Sequence, residues 1–62
     1  SRGVKRGKNA KVKTCILLQD TVIEDGANLE DVSTDKNVRV SSNRSLTGND
    51  SFQVYVAKGQ TV

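Results

Sequence analysis

Between Ala10 and Val40 one pattern is written twice. Ala10, Val12, Cys15, Leu17, Thr21 and Ile23 are followed, each 17 residues later, by Ala27, Leu29, Val32, Thr34, Val38 and Val40. The residues between these positions are mostly polar or charged. Apolar or small residues that recur every five or six positions, within a repeat of this period, mark a stacked coil rather than an amphipathic helix or a lone hairpin. The steps are uneven in a regular way: Val12 to Leu17 and Leu29 to Thr34 are five residues, while Leu17 to Ile23, Ile23 to Leu29 and Thr34 to Val40 are six. A three-sided coil with one corner short by a residue has this spacing.

The local chemistry agrees. No segment carries the i, i+3, i+4, i+7 stripe of a helix across three turns, and Val, Ile and Thr favour strands throughout. The fold class expected is all-β. Residues 1–9, rich in Gly and Lys, read as irregular or as a frayed edge. Residues 10–40 hold the repeat coils. Short strands are expected within Ala10–Leu18 (with a corner near Lys13 and Thr14), then at Thr21–Ile23, Ala27–Leu29, Val32–Thr34 and Val38–Val40. Asp25-Gly26, Glu30-Asp31 and Asp35–Asn37 supply the corners. Residues 41–51 read as a surface loop, rich in Ser, Asn, Gly and Asp. Residues 52–62 form a terminal strand and tail, with Phe52, Val54 and Val56 expected on one face and Gln53 and Tyr55 on the other. Stacking should set Ala10 under Ala27, Val12 under Leu29, Cys15 under Val32 and Ile23 under Val40.

Composition limits what such a coil can do alone. The chain has 62 residues, 34% of them hydrophobic, with one Phe, one Tyr and no Trp or Met. That is at most one small domain with a thin core, and a single cysteine excludes an internal disulfide. The expectation is a β-helix fragment of something larger, or a chain that leans on a partner. The open edges of a two-coil stack predict self-association. No apolar run approaches the length of a membrane span and no signal-peptide pattern is present, so a cytoplasmic location without membrane partners is expected.

The net charge of +3 is unevenly spread: Arg2, Lys5, Arg6, Lys8, Lys11 and Lys13 precede the first acid, Asp20. Such a run suits an anion or nucleic acid. However, Ala10 and Val12 alternate with Lys11 and Lys13 as in a half-buried strand, and the segment lacks the aromatic platforms of nucleic-acid modules. A solvated outer face is the simpler account, and no nucleic-acid partner is expected. Catalytic constellations are missing. The chain contains no His, so Cys15 reads as a small core residue rather than a nucleophile. Asp20, Glu24, Asp25, Glu30 and Asp31 do not have the spacing of a calcium loop. No catalytic, cofactor-binding or metal-ligating residue is assigned.

Hexad repeats of this kind resemble the left-handed parallel β-helix of many transferases, a hexapeptide-repeat prism here of about two to three coils plus a C-terminal strand. It is an exception to the right-handed rule for parallel crossovers. The particular words resemble one family more closely. Cys15-Ile16-Leu17-Leu18-Gln19-Asp20-Thr21-Val22-Ile23, Leu29-Glu30-Asp31-Val32 and Asp35-Lys36-Asn37-Val38-Arg39-Val40 look like the C-terminal domain of bacterial glucose-1-phosphate adenylyltransferase (ADP-glucose pyrophosphorylase). Arg44-Ser45-Leu46-Thr47-Gly48 and Phe52-Gln53-Val54-Tyr55-Val56-Ala57-Lys58-Gly59 are similar to the ending of its regulatory subunit. The chain departs from the family at Arg6, where an inward aliphatic is usual, at Ser33 and Thr34, which replace an aliphatic pair, and at Gln53, where Pro is common. An Arg6 under Ile23 and Val40 either points out or lays its stem along the open end of the coil.

The resemblance implies a role in assembly. In the parent enzyme, a nucleotidyltransferase, ATP and glucose 1-phosphate give ADP-glucose for glycogen synthesis with the help of Mg2+. That chemistry belongs to an N-terminal domain absent from these residues, so this fragment carries no cofactor. Its partners would be its own catalytic domain and other subunits. Phosphorylated effectors of the family act near the junction of the two domains, and the basic segment lies closest to that junction. Lys5, Lys8, Lys11 and Lys13 are therefore candidate contacts for an anionic effector. Two other classes stay open: a hexapeptide-repeat acyltransferase fragment, which would ordinarily bring a catalytic His, and a small basic nucleic-acid-binding module.

Overall fold

The computed structural model describes residues 3–49 and 51–62. They form nine short strands and no helix: β1 Lys5–Arg6, β2 Lys11–Lys13, β3 Ile16–Leu17, β4 Val22–Ile23, β5 Asn28–Glu30, β6 Val32–Thr34, β7 Arg39–Val40, β8 Ser45–Thr47 and β9 Val54–Val56. The chain visits three sheets in rotation. Their strand orders are β1-β4-β7, β2-β5-β8 and β3-β6-β9, and every pairing is parallel. The result is a β-helix-like stack of three coils with three sides. The all-β class and the parallel, in-register stacking of the repeat are thus present.

Register follows the repeat. Val12 pairs with Leu29, Leu17 with Thr34, and Ile23 with Val40, each 17 residues apart. The corners repeat at the same interval because the backbone must enter the left-handed region at each one. Asn9, Gly26 and Asn43 stack in one column, with φ of 60°, 77° and 59°; Thr14 and Asp31 stack in another, at 53° and 55°; Asp20, Asn37 and Gly59 make the third, at 61°, 58° and 78°. Asn, Asp and Gly tolerate this region, whereas β-branched Thr14 does not. In the first column the left-handed residue is third in a four-residue turn closed by the N–H groups of Ala10, Ala27 and Arg44, which donate to Gly7, Glu24 and Ser41. That position is the one a type II turn reserves for positive φ. The Thr14 and Asp31 corners turn in a single residue, which is where each coil is one residue short of three hexads.

The core is a column of branched aliphatics. Ile23, Ala27, Leu29, Val32, Val38, Val40 and Val56 are buried, and Ala10, Val12, Cys15, Leu17, Leu46, Val54 and Val62 pack against them half-buried. Thr21 and Thr34 are buried as well, and Thr34 is a departure from the aliphatic pattern that the interior accommodates. Their hydroxyls lie 3.1 Å apart, and Thr21 Oγ1 donates to the Asp35 carbonyl at 3.2 Å. Two buried hydroxyls that satisfy each other avoid most of the cost of desolvation.

The structure corrects two details. Residues 41–51 are not all loop: Ser45–Thr47 is the third strand of its sheet, with Leu46 stacked on Leu29. Its lone apolar residue sits at the one inward position that a three-residue side requires. The irregular part among the described residues is shorter, Gly48, Asn49 and Ser51 to Gln53. There the third coil carries five extra residues, so β6 meets β9 at a separation of 22 instead of 17. Within residues 1–9, Lys5–Arg6 form β1 at the edge of its sheet, the second of the two alternatives read from the sequence. Phe52 does not share the inward face of Val54 and Val56. It is held in a tight reversal in which its N–H and carbonyl bond to the Asn49 backbone, at 3.1 and 2.8 Å, and it is 71% exposed. Ser1, Arg2 and Asp50, which belong to the basic lead and to the expected loop, lie outside the described residues.

Candidate functional site

The basic residues are set out by the coil, not gathered by it. Lys11 and Lys13 flank inward-facing Val12 on β2 and so project from the same outer face. Lys5 lies on β1, in register with Val22, and Lys8 precedes the Asn9 corner between them. All four are exposed. Together they spread over two sides and one corner of the first coil, with no enclosed anion site among them. Arg6 occupies the inward register of Ile23 and Val40, yet it is exposed. Among the described residues no coil lies beneath it.

Carboxylates of the second coil stand beside this basic rim. Asp25 Oδ1 accepts the Lys8 backbone N–H at 2.8 Å, and Glu30 is in register with Lys13. Gly7 is needed for the first of these contacts. A Cβ there would come within 2.6 Å of the Asp25 backbone nitrogen. Glu24 pairs with the guanidinium of Arg39 and accepts from the Ser42 hydroxyl at 3.3 Å. The hydrogen bond from Arg39 holds the Glu24 carboxyl below its ordinary value. Lys5, Arg6, Glu24, Asp25 and Ser42 line a shallow, open depression of about 360 Å³. Of the four candidate lysines only Lys5 reaches it. The sequence points to part of this grouping through one signal, since Asp25 and Ser42 are spaced by the 17-residue repeat.

A second cluster, unforeseen in the sequence, lies on the outer face of the β3-β6-β9 sheet. The Tyr55 hydroxyl donates to Asp35 Oδ2 at 2.9 Å. Asp35 also accepts the Lys36 backbone N–H at 2.7 Å. That backbone bond first, and the tyrosine bond second, lower the Asp35 carboxyl; the same carboxylate raises the Tyr55 hydroxyl. Ile16, 60% exposed, and Tyr55, 63% exposed, share this face on either side of Ser33. Cys15 is half-buried against the core, and its thiol donates to the Lys13 carbonyl at 3.1 Å. Among the described residues no three His, Cys, Asp or Glu side chains gather as a metal site, and no helix is long and apolar enough to cross a membrane. What the arrangement of the described residues offers chemically is charge on an outer surface. No family model, curated protein or solved structure matches the chain.

Proposed function

We propose that the chain is the C-terminal left-handed β-helix of a glucose-1-phosphate adenylyltransferase, of the regulatory-subunit type, and that it serves assembly. In this reading it packs on its own nucleotidyltransferase domain and builds contacts with other subunits in the cytoplasm. The domain catalyses nothing itself. The observation that carries the reading is the coincidence of the family's words with the stack. Leu29-Glu30-Asp31-Val32 spans a one-residue corner, and Asp35-Lys36-Asn37-Val38 spans a turn, so the polar letters fall where the backbone must bend and the apolar ones where it must fill the core. Strands of two or three residues on sides of five or six suit a tightly wound hexad coil, which supports the left-handed assignment. The exposed lysines of the first coil would face an anionic effector at the domain junction.

Grafting tests this. The chain replaces the C-terminal domain of a bacterial glucose-1-phosphate adenylyltransferase, and oligomeric state and ADP-glucose synthesis are measured. Assembly into the enzyme's native oligomer with retained synthesis is the expected result; a soluble hybrid that stays monomeric defeats the proposal. In the same hybrid, Lys11→Glu with Lys13→Glu should blunt the response to the effector. An unchanged response removes the lysines from that role while leaving assembly intact. Handedness is checked by a crystal structure of the chain.

A further inference from the structure

The three outer faces of the coil differ in character. On the β1-β4-β7 face the outward register is Lys5, Val22 and Arg39. On the β2-β5-β8 face it is Lys11, Asn28 and Ser45, then Lys13, Glu30 and Thr47. On the β3-β6-β9 face it is Ile16, Ser33 and Tyr55. Among the described residues the exposed large apolar side chains are Val4, Ile16, Leu18, Phe52 and Tyr55. Ile16, Leu18 and Tyr55 alternate outward on this third face, and Phe52 stands where the chain turns into β9. The chain has one Phe and one Tyr, and neither joins the core.

Both aromatics are held in place. Asn49 Oδ1 accepts the N–H of Ser51 and of Phe52, each at 2.9 Å. Tyr55 donates to Asp35, which lies on the neighbouring strand two residues beyond Ser33, the register partner of Tyr55. Side chains on a sheet ordinarily stand perpendicular to it. A tyrosine whose hydroxyl reaches that carboxylate lies across the sheet instead, with one face of its ring toward solvent. Asp35 takes one bond on each oxygen, from the Lys36 N–H and from Tyr55, so the carboxylate keeps acceptor capacity. A ring fixed before contact loses little entropy on binding.

Size and charge say what fits. Three strands of two or three residues make a flat area on the order of 100 Å². A stable protein interface takes roughly 800 Å² from each partner, so a second copy or another folded protein is too large for this face alone. Around it stand Lys13, Lys36 and Lys58 against Asp20, Glu30, Asp31 and Asp35, which leaves no excess of cation to hold the phosphates of a nucleic acid. A flat, neutral ligand remains, with C–H groups to lie on the electron-rich face of a ring and hydroxyls to meet a carboxylate. That is the chemistry of a saccharide.

We propose that the outer face of the β3-β6-β9 sheet binds a neutral oligosaccharide. A sugar ring stacks on Tyr55, Phe52 supplies a second platform, and Ser33, Asp35 and Gln53 bond to sugar hydroxyls. Such binding goes beyond the assignment to an enzyme family and requires no catalytic domain.

The test is an NMR titration of the 15N-labelled 62-residue chain with maltohexaose, cellohexaose, mannohexaose and chitohexaose. Saturable shifts with at least one of them are expected, with Kd on the order of 1 mM. They should centre on the amides of Ile16, Ser33 and Tyr55 and spare those of Lys5 and Lys11. Tyr55→Ala should abolish saturation, Phe52→Ala should weaken binding about threefold, and Tyr55→Phe, which keeps the ring, should stay within about threefold of the parent. No saturable shift with any of the four sugars overturns the proposal, as do shifts centred on another face or undiminished binding by a folded Y55A chain. Should Y55A not fold, Ser33→Arg decides, since it crowds the middle of the face from an outward position: unchanged affinity overturns the proposal. So does a dimer in sedimentation that Y55A disperses and sugar does not, which would make a second copy the occupant.

Discussion

The first and second coils carry the same inward pattern and live in different surroundings. Ala27, Leu29 and Val32 in the second coil are at most 1% exposed, while Ala10, Val12 and Cys15, one repeat earlier, are half-buried. The difference is not side-chain chemistry. Among the described residues the second coil has a neighbour on both edges, and the first has one. A stacked repeat stabilises by nearest-neighbour contact, so an end unit holds its shape on half the contacts. Side-chain ties sharpen the contrast: Arg39 to Glu24, Ser42 to Glu24 and Tyr55 to Asp35 all join the second coil to the third. The first coil is tied by its backbone ladder and by the bond from the Lys8 N–H to Asp25. Of the three described coils it has the fewest side-chain ties, and it also carries the basic run.

The largest expected effect is on the column Val12–Leu29–Leu46. Leu29→Ala removes a buried side chain with a neighbour above and below, and should cost about 2–5 kcal/mol. In a domain of small total stability that abolishes the cooperative transition. Val12→Ala should cost about 1 kcal/mol, since half the site is already wet. Urea denaturation followed by circular dichroism distinguishes them. Equal losses would mean that the first coil is covered in solution, as self-association would achieve.

Why the coils were legible and the third was not has a physical answer. Val12, Leu29, Ile23 and Val40 are large, apolar and evenly spaced, so the period of 17 can be read directly from the residues. Asp31 and Asn37 announce corners because they tolerate positive φ. The third coil hides. Ser45-Leu46-Thr47 carries one apolar residue between two polar ones, and five extra residues after Thr47 throw Val54 and Val56 off the repeat. Asn9, Gly26 and Asn43, spaced by 17, were the available signal. The outer-face cluster is less legible still. Tyr55 and Asp35 meet only because the inserted residues bring β9 onto β6, and no period encodes that distance. The basic run was plain in the sequence, but its dispersal over two sides and a corner follows from the coil.

A smaller effect is expected inside the second coil. The Thr21 hydroxyl bonds to the Asp35 carbonyl, which leaves Thr34 to donate to Thr21. Thr21→Val takes away that acceptor and strands a buried hydroxyl, at a cost of about 1–3 kcal/mol. Adding Thr34→Val removes the stranded group, and the double variant should be more stable than the single one. A double-mutant cycle measures this coupling. Additive losses would mean that the two hydroxyls do not depend on one another.

The first coil should be easier to stabilise than the second at their shared corner. Thr14 and Asp31 have nearly the same φ, 53° and 55°, but only Thr14 is β-branched and exposed. Thr14→Asn relieves a strained conformation without disturbing packing, and should add about 1 kcal/mol. Asp31→Asn should add nothing, since Asp already tolerates the left-handed region. A melting temperature raised by the first change and not by the second is the expected result. Hydrogen exchange at the Lys5, Gly7 and Lys11 amides reports whether the gain is local to the first coil. Protection rising equally across all three coils would contradict a weakly held end.

The smallest effect is that of pH, and it should act on the junction of the second and third coils. Glu24 and Asp35 have carboxyls lowered by folding, the first by its bond from Arg39 and the second by the Lys36 N–H and the Tyr55 hydroxyl. A lowered carboxyl contributes stability that is present above its unfolded value and lost as pH falls through its folded one. Tyr55 is shifted the other way by its bond to Asp35, so its contribution holds below its unfolded value near ten and is lost as pH rises beyond it. The melting temperature should therefore be flat through neutrality and fall at both extremes. Tyr55 is exposed and the two carboxylates stand half-buried at the surface, where solvent screening keeps the change modest. Asp35→Asn should flatten the Asp35 share of the acid arm and the Tyr55 share of the alkaline arm together, because one hydrogen bond shifts both groups. Tyr55→Phe should reduce the alkaline arm fully and the acid arm only in part, since the Lys36 N–H still favours the carboxylate. Amide exchange across pH then locates the change. Loss of protection at Val54 and Asp35, the amides that link β9 to the second coil, is expected before loss at Lys5 and Lys11. The reverse order would show that the basic first coil, and not this junction, senses pH.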